Sequence, residues 1–391
     1  MKETFLKARV GLTLGVLGII FLPLGTFRPN RVVRGIPLDG EALLEGGILL
    51  ALAATGLVTA ALIYALRERE GKLFLLNGVP WMLSFVPGLL MLILSSARPV
   101  GGNFDLEVAR MSLSSGYWLV FAGILMLQSG TPRGGVLMSL TVLISLAVLG
   151  FGLAPHLALY KEFMNIEVAF YAELRRHLTL SLASVVVALL PGILLGYICH
   201  RHQRLREWIL GTVNLFQVAP TLSLLGLIMI PLTFLSRNIP LVAELGIRGV
   251  GFAPAFIVLT LYCLLPITAN AFSGFDQVET AVVDSALAMG MTRRQIFMQV
   301  LFPLALPVIF SGIRTAVTQN VGNTILAGLI GGGGMGALIF LGLSQSATDL
   351  VILGTIPVVL MALILDAVFK LVEERMTQRA GVTHDTLDAG I

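Results

Sequence analysis

Side chains able to do chemistry are few in this 391-residue chain, and they do not converge. The five histidines are His156, His177, His200, His202 and His384, with His200 and His202 set among arginines. A metal centre needs clustered ligands oriented by carboxylates, and this spacing offers none. Cys199 and Cys263 lie in apolar stretches without CxxC spacing, so they indicate neither a disulfide framework nor a compartment. There is no Ser-His-Asp or thiol arrangement, so no catalytic residue, metal or cofactor is expected. The Gly331 to Gly334 run could suggest a phosphate cradle, yet a nucleotide-binding loop of that kind needs a lysine followed by Ser or Thr, and none occurs. The polar groups that remain stand inside apolar runs. Asn214, Gln217 and Thr221, with Asn320, Asn323 and Thr324, either line a water path or bond helix to helix. Arg314 and Asp366 either form an intramembrane pair, or Arg314 snorkels to the interface and Asp366 meets water.

The elements that must hold these residues are membrane spans. Hydrophobic residues make up 56% of the chain, Asp, Glu, Lys and Arg only 12%, and the mean hydropathy is +0.92. Soluble domains carry about 25% charged residues, so a soluble enzyme, a disordered regulator and a nucleic-acid-binding protein are excluded. The net charge of +4 resides mainly in short loops between apolar runs. A spanning helix needs about 20 apolar residues. About ten stretches qualify: 10 to 27, 43 to 66, 73 to 96, 112 to 129, 134 to 154, 177 to 199, 208 to 235, 252 to 272, 304 to 325 and 350 to 370. The first follows Lys2, Lys7 and Arg9 but lacks a small-residue cleavage site, so it reads as a retained helix. Pro87, Pro191 and Pro220 are read as tolerated within spans. An even number of spans puts both termini on one side, and the excess of Lys and Arg in the inner segments places them in the cytoplasm. Arg28, Arg31 and Arg34 dissent from that bias. Gly11 with Gly15, and Gly192 with Gly196, read as intrachain packing contacts.

Near residue 155 the chain changes character. The expected division is a front membrane region of five helices over 1–155, a loop from Pro155 to Arg176, a working half over 173–372 that holds most of the intramembrane polar residues, and a cytoplasmic tail over 373–391.

The longest cytoplasmic loop lies between the eighth and ninth spans and reads as two helices. Asp276 with Glu279, and Thr292 with Gln295, each form an N-cap and N3 pair. Gly290 ends the first helix, and Pro303 marks the start of the next span. Ala281, Ser285 and Ala288 make a strip of small residues on one face. Asp284-Ser285-Ala286, three residues, Gly290, nine residues, then Val300-Leu301-Phe302-Pro303 resembles E-A-A-x3-G-x9-I-x-L-P, the coupling loop of type I ABC importer permeases. The spacing is kept, while Asp, Ser, Val and Phe replace Glu, Ala, Ile and Leu.

That resemblance implies an all-α membrane protein whose last five spans form the permease core, moved by a dimer of separate ATPase subunits. The residues it assigns to coupling are Glu279, Ala281, Asp284, Ser285, Ala286, Gly290, Arg293 and Pro303. A periplasmic or extracellular solute-binding protein, and a second copy or a paralogous permease, are the other implied partners, in a bacterial inner membrane. His177 to Ser181, Gly312 to Ala316 and Leu329 to Gly336 resemble text of the glycine betaine, choline and carnitine permeases, in a longer form with extra front spans. Another small solute such as methionine is the alternative substrate. An ion-gradient-driven secondary transporter is a further alternative, though the inverted repeats it would show are not visible.

Overall fold

Proline decides where the first helix stops. In a computed structural model describing residues 2–29, 35–38, 80–97, 108–131 and 133–380, α1 (Lys2–Phe21) ends two residues before Pro23, which disfavours helical backbone in its predecessor. The chain then enters β1 (Gly25–Arg28), the middle strand of an antiparallel sheet with β2 (Ile36–Leu38) and β3 (Arg110–Leu113). Gly25 pairs with Leu113 and Arg28 with Arg110. The Thr26 and Ser114 hydroxyls share a 2.5 Å hydrogen bond beside it. Strands therefore occupy the end of the expected span 10 to 27 and the start of 112 to 129, and the helices there are shorter than expected.

Three further helices complete the described part of this front unit, which runs Met1–Ile166. They are α2 (Val86–Ser96), α3 (Ser115–Ser129) and α4 (Gly134–Gly150). Among the described residues the apolar helices of the front are Val10–Phe21, Pro80–Ser96, Ser115–Ser129 and Gly134–Gly150, none above 17 residues. At 1.5 Å per residue the longest covers about 26 Å, short of the ~30 Å of hydrocarbon. The expected span 43 to 66 and the first part of 73 to 96 lie outside the described residues. α1 and α3 approach through glycines seven apart on each: a Cβ on Gly123 would come within 2.5 Å of the Gly11 oxygen, and one on Gly116 within 2.7 Å of the Gly18 oxygen.

The rear unit, Glu167–Ile391, contains or completes the five described helices long and apolar enough to cross a membrane. The first is α5 (Ala158–Arg201), broken only at Ile166 (φ −126°, ψ 21°) where the two units divide. The loop expected from Pro155 to Arg176 is thus mostly helix, because its run of Ala, Leu, Glu, Lys and Arg favours helical backbone. The expected seventh span, 208 to 235, is also corrected. Pro220 is not tolerated within it: Ala219 is extended (φ −64°, ψ 134°), separating the amphipathic α6 (Gln203–Val218) from α7 (Thr221–Asn238). A short α8 (Pro240–Glu244) precedes α9 (Phe252–Asp276), the most enclosed of the five long helices.

After α9 come α10 (Thr280–Ala288) and α11 (Arg293–Ile296). A π turn, Phe297–Leu301, then joins α11 to α12 (Phe302–Asn323) and a 3-10 segment, Thr324–Ile330. α13 (Met335–Ser344) and α14 (Thr348–Ala380) finish the described chain. The π turn has a local cause: Pro303 has no N–H to donate to the preceding turn, and the Phe302 N–H reaches the Phe297 oxygen five residues back. Three helices close tightly on glycine. A Cβ on Gly192 of α5 would stand 2.6 Å from Ile267, one on Gly196 2.5 Å from the Ala271 Cβ, and one on Gly312 of α12 2.5 Å from the Asn270 Cβ. Gly192 and Gly196 are therefore intrachain contacts against α9.

Candidate functional site

The loop singled out by its spacing is two short helices hinged at Gly290. α9 runs to Asp276, so Asp276 is the last residue of a helix and not an N-cap; its Oδ1 lies 3.5 Å from His200 Nδ1. Glu279 takes the N-cap position of α10 with extended backbone, but its side chain caps nothing. The second expected cap is present in full. The Gln295 N–H donates to Thr292 Oγ1 at 3.4 Å, and the Thr292 N–H donates to Gln295 Oε1 at 2.8 Å.

Gly290 has φ +82°, a left-handed conformation that L side chains rarely adopt. A Cβ there would meet nothing within 4 Å. Conformation, not crowding, therefore demands glycine. The bend leaves α10 standing clear of the protein: Glu279, Ala281, Asp284, Ser285 and Ala288 are exposed, and Ala286 alone in α10 is buried. Ser285 Oγ bonds back to the Ala281 oxygen at 2.7 Å, which keeps the small-residue strip flat. Leu287 and Met289 are also open, at 50% and 75% exposure, and Arg293 and Arg294 are exposed beside them.

The loop is anchored as well as displayed. Phe297, in the π turn, lies 4.7 Å from the Tyr197 ring of α5 and 6.0 Å from Phe275 of α9, centroid to centroid. Phe302 continues this aromatic cluster, with Ala271, Leu301, Ala305 and Ile309 packed beneath. Pro303, within the first turn of α12, is exposed. The segment that follows the Gly290 bend is therefore packed against α5, α9 and α12 at once.

The polar residues of the core are placed unequally. Gln217 Nε2 donates to Gln319 Oε1 at 3.1 Å, tying α6 to α12, and Asn214 is exposed one turn earlier. Thr221 Oγ1 donates to the Tyr262 hydroxyl at 3.1 Å, and that hydroxyl donates to the Ala219 oxygen, a carbonyl released where Pro220 breaks the helix. Asn320 is 1% exposed, and its Nδ2 donates to the Ser181 oxygen and Ser184 Oγ of α5 at 2.8 and 2.6 Å. Thr324 is fully buried and bonds the Asn320 oxygen; Asn323 is half-buried. The structure thus brings Asn320 and Thr324 into helix packing, and leaves Asn214, Gln217, Thr221 and Asn323 with some exposure. Arg314 meets Asp366 through two bonds, Nε to Oδ1 at 2.7 Å and Nη2 to Oδ2 at 3.1 Å.

Three groups escaped sequence reasoning. Glu373 accepts from Arg314 Nη1 at 3.1 Å. Tyr262 fills the break at Pro220. Most consequential, Glu173 and His177, one turn apart on α5, hold the glycine turn: Glu173 Oε2 accepts from the Gly334 N–H at 2.5 Å and His177 Nδ1 from the Met335 N–H at 3.2 Å. Because Nδ1 accepts, the proton resides on Nε2, which donates to the Val321 oxygen at 3.0 Å. Gly331, Gly333 and Gly334 have φ of +71°, +78° and +85°. The run is therefore a tight left-handed turn capped from α5, ahead of a ten-residue helix too short to span. A carboxylate and a histidine four apart, ahead of a remote glycine run, were the available signal.

Comparison with known proteins extends this picture. Residues 188–378 match the binding-protein-dependent transport system inner membrane component, and residues 7–160 match the N-terminal domain of the ABC transporter permease YehY. The glycine betaine/carnitine/choline transport system permease protein OpuCD of Bacillus subtilis is 34% identical over 206 residues, covering 52% of this chain and 83% of that protein. The osmoprotectant import permease protein OsmW of Salmonella typhimurium is 37% identical over 191 residues, 49% of this chain and 84% of its own. A solved inward-facing structure of the MetNI methionine ABC transporter aligns at a TM-score of 0.45 and 20% identity, over 55% of this chain and 98% of that one. With relatives this similar matched over more than four fifths of their length, the chain belongs to the binding-protein-dependent transport system inner membrane components, the permease subunits of ABC importers.

Proposed function

We propose that this permease carries glycine betaine or a related osmoprotectant inward, driven by ATPase subunits that grip residues 276–302. The substrate class rests on the relatives, which are named as glycine betaine, carnitine, choline and osmoprotectant permeases. The drive rests on one observation: α10 stands exposed on a left-handed glycine hinge, while Phe297 locks the far side of that hinge into three core helices. Family membership implies a separate ATPase and a substrate-binding protein, and removes the ground for an ion-gradient mechanism.

Closure of the ATPases would press on Glu279, Ala281, Asp284, Ser285 and Arg293. Gly290 sets the angle between the two loop helices, and the aromatic cluster below it receives the thrust. Two such cores enclose one path, so the working unit is two copies of this chain or one beside a paralogous permease. Asn214, Gln217, Thr221 and Asn323 are the proposed lining, and Asn320 and Thr324 join it when the helices part. In the proposed orientation the loop and both termini lie in the cytoplasm, a reading supported by the excess of Lys and Arg in the inner segments.

The test is ATP-dependent uptake of glycine betaine into proteoliposomes containing this permease, its ATPase and its binding protein. Gly290→Pro, which forces φ near −65°, should abolish uptake while the protein still inserts. Normal uptake by that variant would overturn the coupling assignment.

A further inference from the structure

Arg314 sits where two carboxylates of another helix converge. Its guanidinium makes a two-pronged contact with Asp366 and a third bond to Glu373. Asp366 and Glu373 are seven residues apart, two turns along one face of α14. On the same stripe, one turn before Arg314, Phe310 stacks on Phe369 with centroids 5.4 Å apart and planes 23° from parallel. The contact between α12 and α14 is thus an aromatic pair flanked by an ionic fork.

We infer that Arg314 is a positioning residue of the transport stroke: its fork to Asp366 and Glu373 makes α12 and α14 move as one body. This inference rests on the coupling role proposed above. Its first support is continuity. One helical run, Arg293–Ile330, begins in the coupling loop and carries Arg314, so displacement at Gly290 arrives at the fork through the helix itself. The second is the apolar contact beside the fork, where Leu365 and Phe369 of α14 pack against the buried cluster that holds Ala316 and Val317 of α12. The third is what lies at the other end of α14. A Cβ on Gly342 of α13 would stand 2.8 Å from the Val351 nitrogen, and one on Gly354 of α14 2.7 Å from Ile339. α13 and α14 are therefore in near-backbone contact, and α13 begins at the glycine turn held by Glu173 and His177. Force entering at the loop would reach that turn along α12, the fork, α14 and α13.

The chemistry of the fork suits this task. A planar guanidinium holding a carboxylate by two bonds resists rotation as well as separation, which a lysine cannot do. An ionised group left unpaired within a bilayer is costly, so the fork persists while neighbouring apolar surfaces slide. A static pin would serve stability only; a positioning residue would also set how much solute each ATP moves.

Solute moved per ATP hydrolysed, in proteoliposomes with ATPase and binding protein, separates these roles. Arg314→Gln should keep binding-protein-stimulated hydrolysis near the wild-type rate and lower the ratio about tenfold, and Arg314→Lys, which keeps the charge but loses the fork, about threefold. If Arg314→Gln fails to insert, Arg314→Lys decides. An unchanged ratio in an inserted variant, including a proportional fall of uptake and hydrolysis together, overturns the inference. Absence of ATP-driven uptake by the wild-type protein would instead overturn the proposed function.

Discussion

Two buried side-chain amides, one in each unit, are treated differently. In the front unit Gln128 is fully buried and uses both ends: Nε2 donates to Ser84 Oγ at 2.9 Å and to the Pro80 oxygen at 3.3 Å, and Oε1 accepts from Thr141 at 3.0 Å. In the rear unit Asn320 spends its Nδ2 on Ser181 and Ser184, yet its Oδ1 has no partner among the described residues, and neither has the Thr268 hydroxyl of α9. A buried acceptor left unbonded costs about 1–3 kcal/mol. The contrast is one between the two amides and not between whole units, because the front also leaves Arg28 Nε, the Tyr117 hydroxyl and His156 Nδ1 unbonded among the described residues. The network at Gln128 is closed, whereas the one at Asn320 carries spare bonding capacity at the contact of two helices, which the proposed transport stroke would use.

The largest test of that contrast uses the glycine contacts. Gly123→Leu in the front and Gly196→Leu in the core each drive a side chain into a neighbour 2.5 Å away. Each should cost about 3 kcal/mol in thermal unfolding of the detergent-solubilised protein. Gly196→Leu should also lose uptake per folded molecule; equal uptake by the two variants would break the comparison. The amides give a smaller and sharper one. Gln128→Leu removes three hydrogen bonds, with the Ser84 and Thr141 hydroxyls keeping only their own helix carbonyls, and should cost about 2 kcal/mol, whereas Asn320→Leu removes two bonds together with an unsatisfied oxygen and should cost about 1 kcal/mol. A reversed order in the same unfolding assay would show that the core amide is the better satisfied. Smallest is Thr292→Ala, which deletes the capping box for about 1 kcal/mol or less, localised to α11. Faster amide exchange at Gln295 with an unchanged global melting temperature is the expected reading.

What the sequence made legible was local. The Thr292–Gln295 box, the bend at Gly290 and the placement of the rear spans depend on neighbours within a few residues. Pairings across distance were not legible. β1 and β3 lie 85 residues apart and are hidden in apolar runs, so nothing nearby marks Gly25–Arg28 as strand. Thr221 and Tyr262, and Glu173 and the Gly334 turn, meet only because helices return. The errors at Asp276 and Pro220 have the opposite origin. There a local rule was right in kind, but α9 continued through Asp276, and Pro220 acted on Ala219 as its ring requires. Arg314 and Asp366 could be singled out as unusual in an apolar stretch. Glu373 could not, because it stands among charged residues at a helix end where a carboxylate is ordinary.

The placement of His177 has one more consequence. Both ring nitrogens are engaged, one by the Met335 N–H and the other on the Val321 oxygen, so a single imidazole touches three segments of the rear unit. If the glycine turn lifts from α5, Nδ1 loses its donor while Nε2 keeps its proton for the Val321 oxygen, so the tautomer is retained and Nδ1 alone changes its bonding. Its nitrogen chemical shift responds to that loss, so a sample labelled with isotopic histidine carries a native reporter of the separation, without a dye or an introduced cysteine.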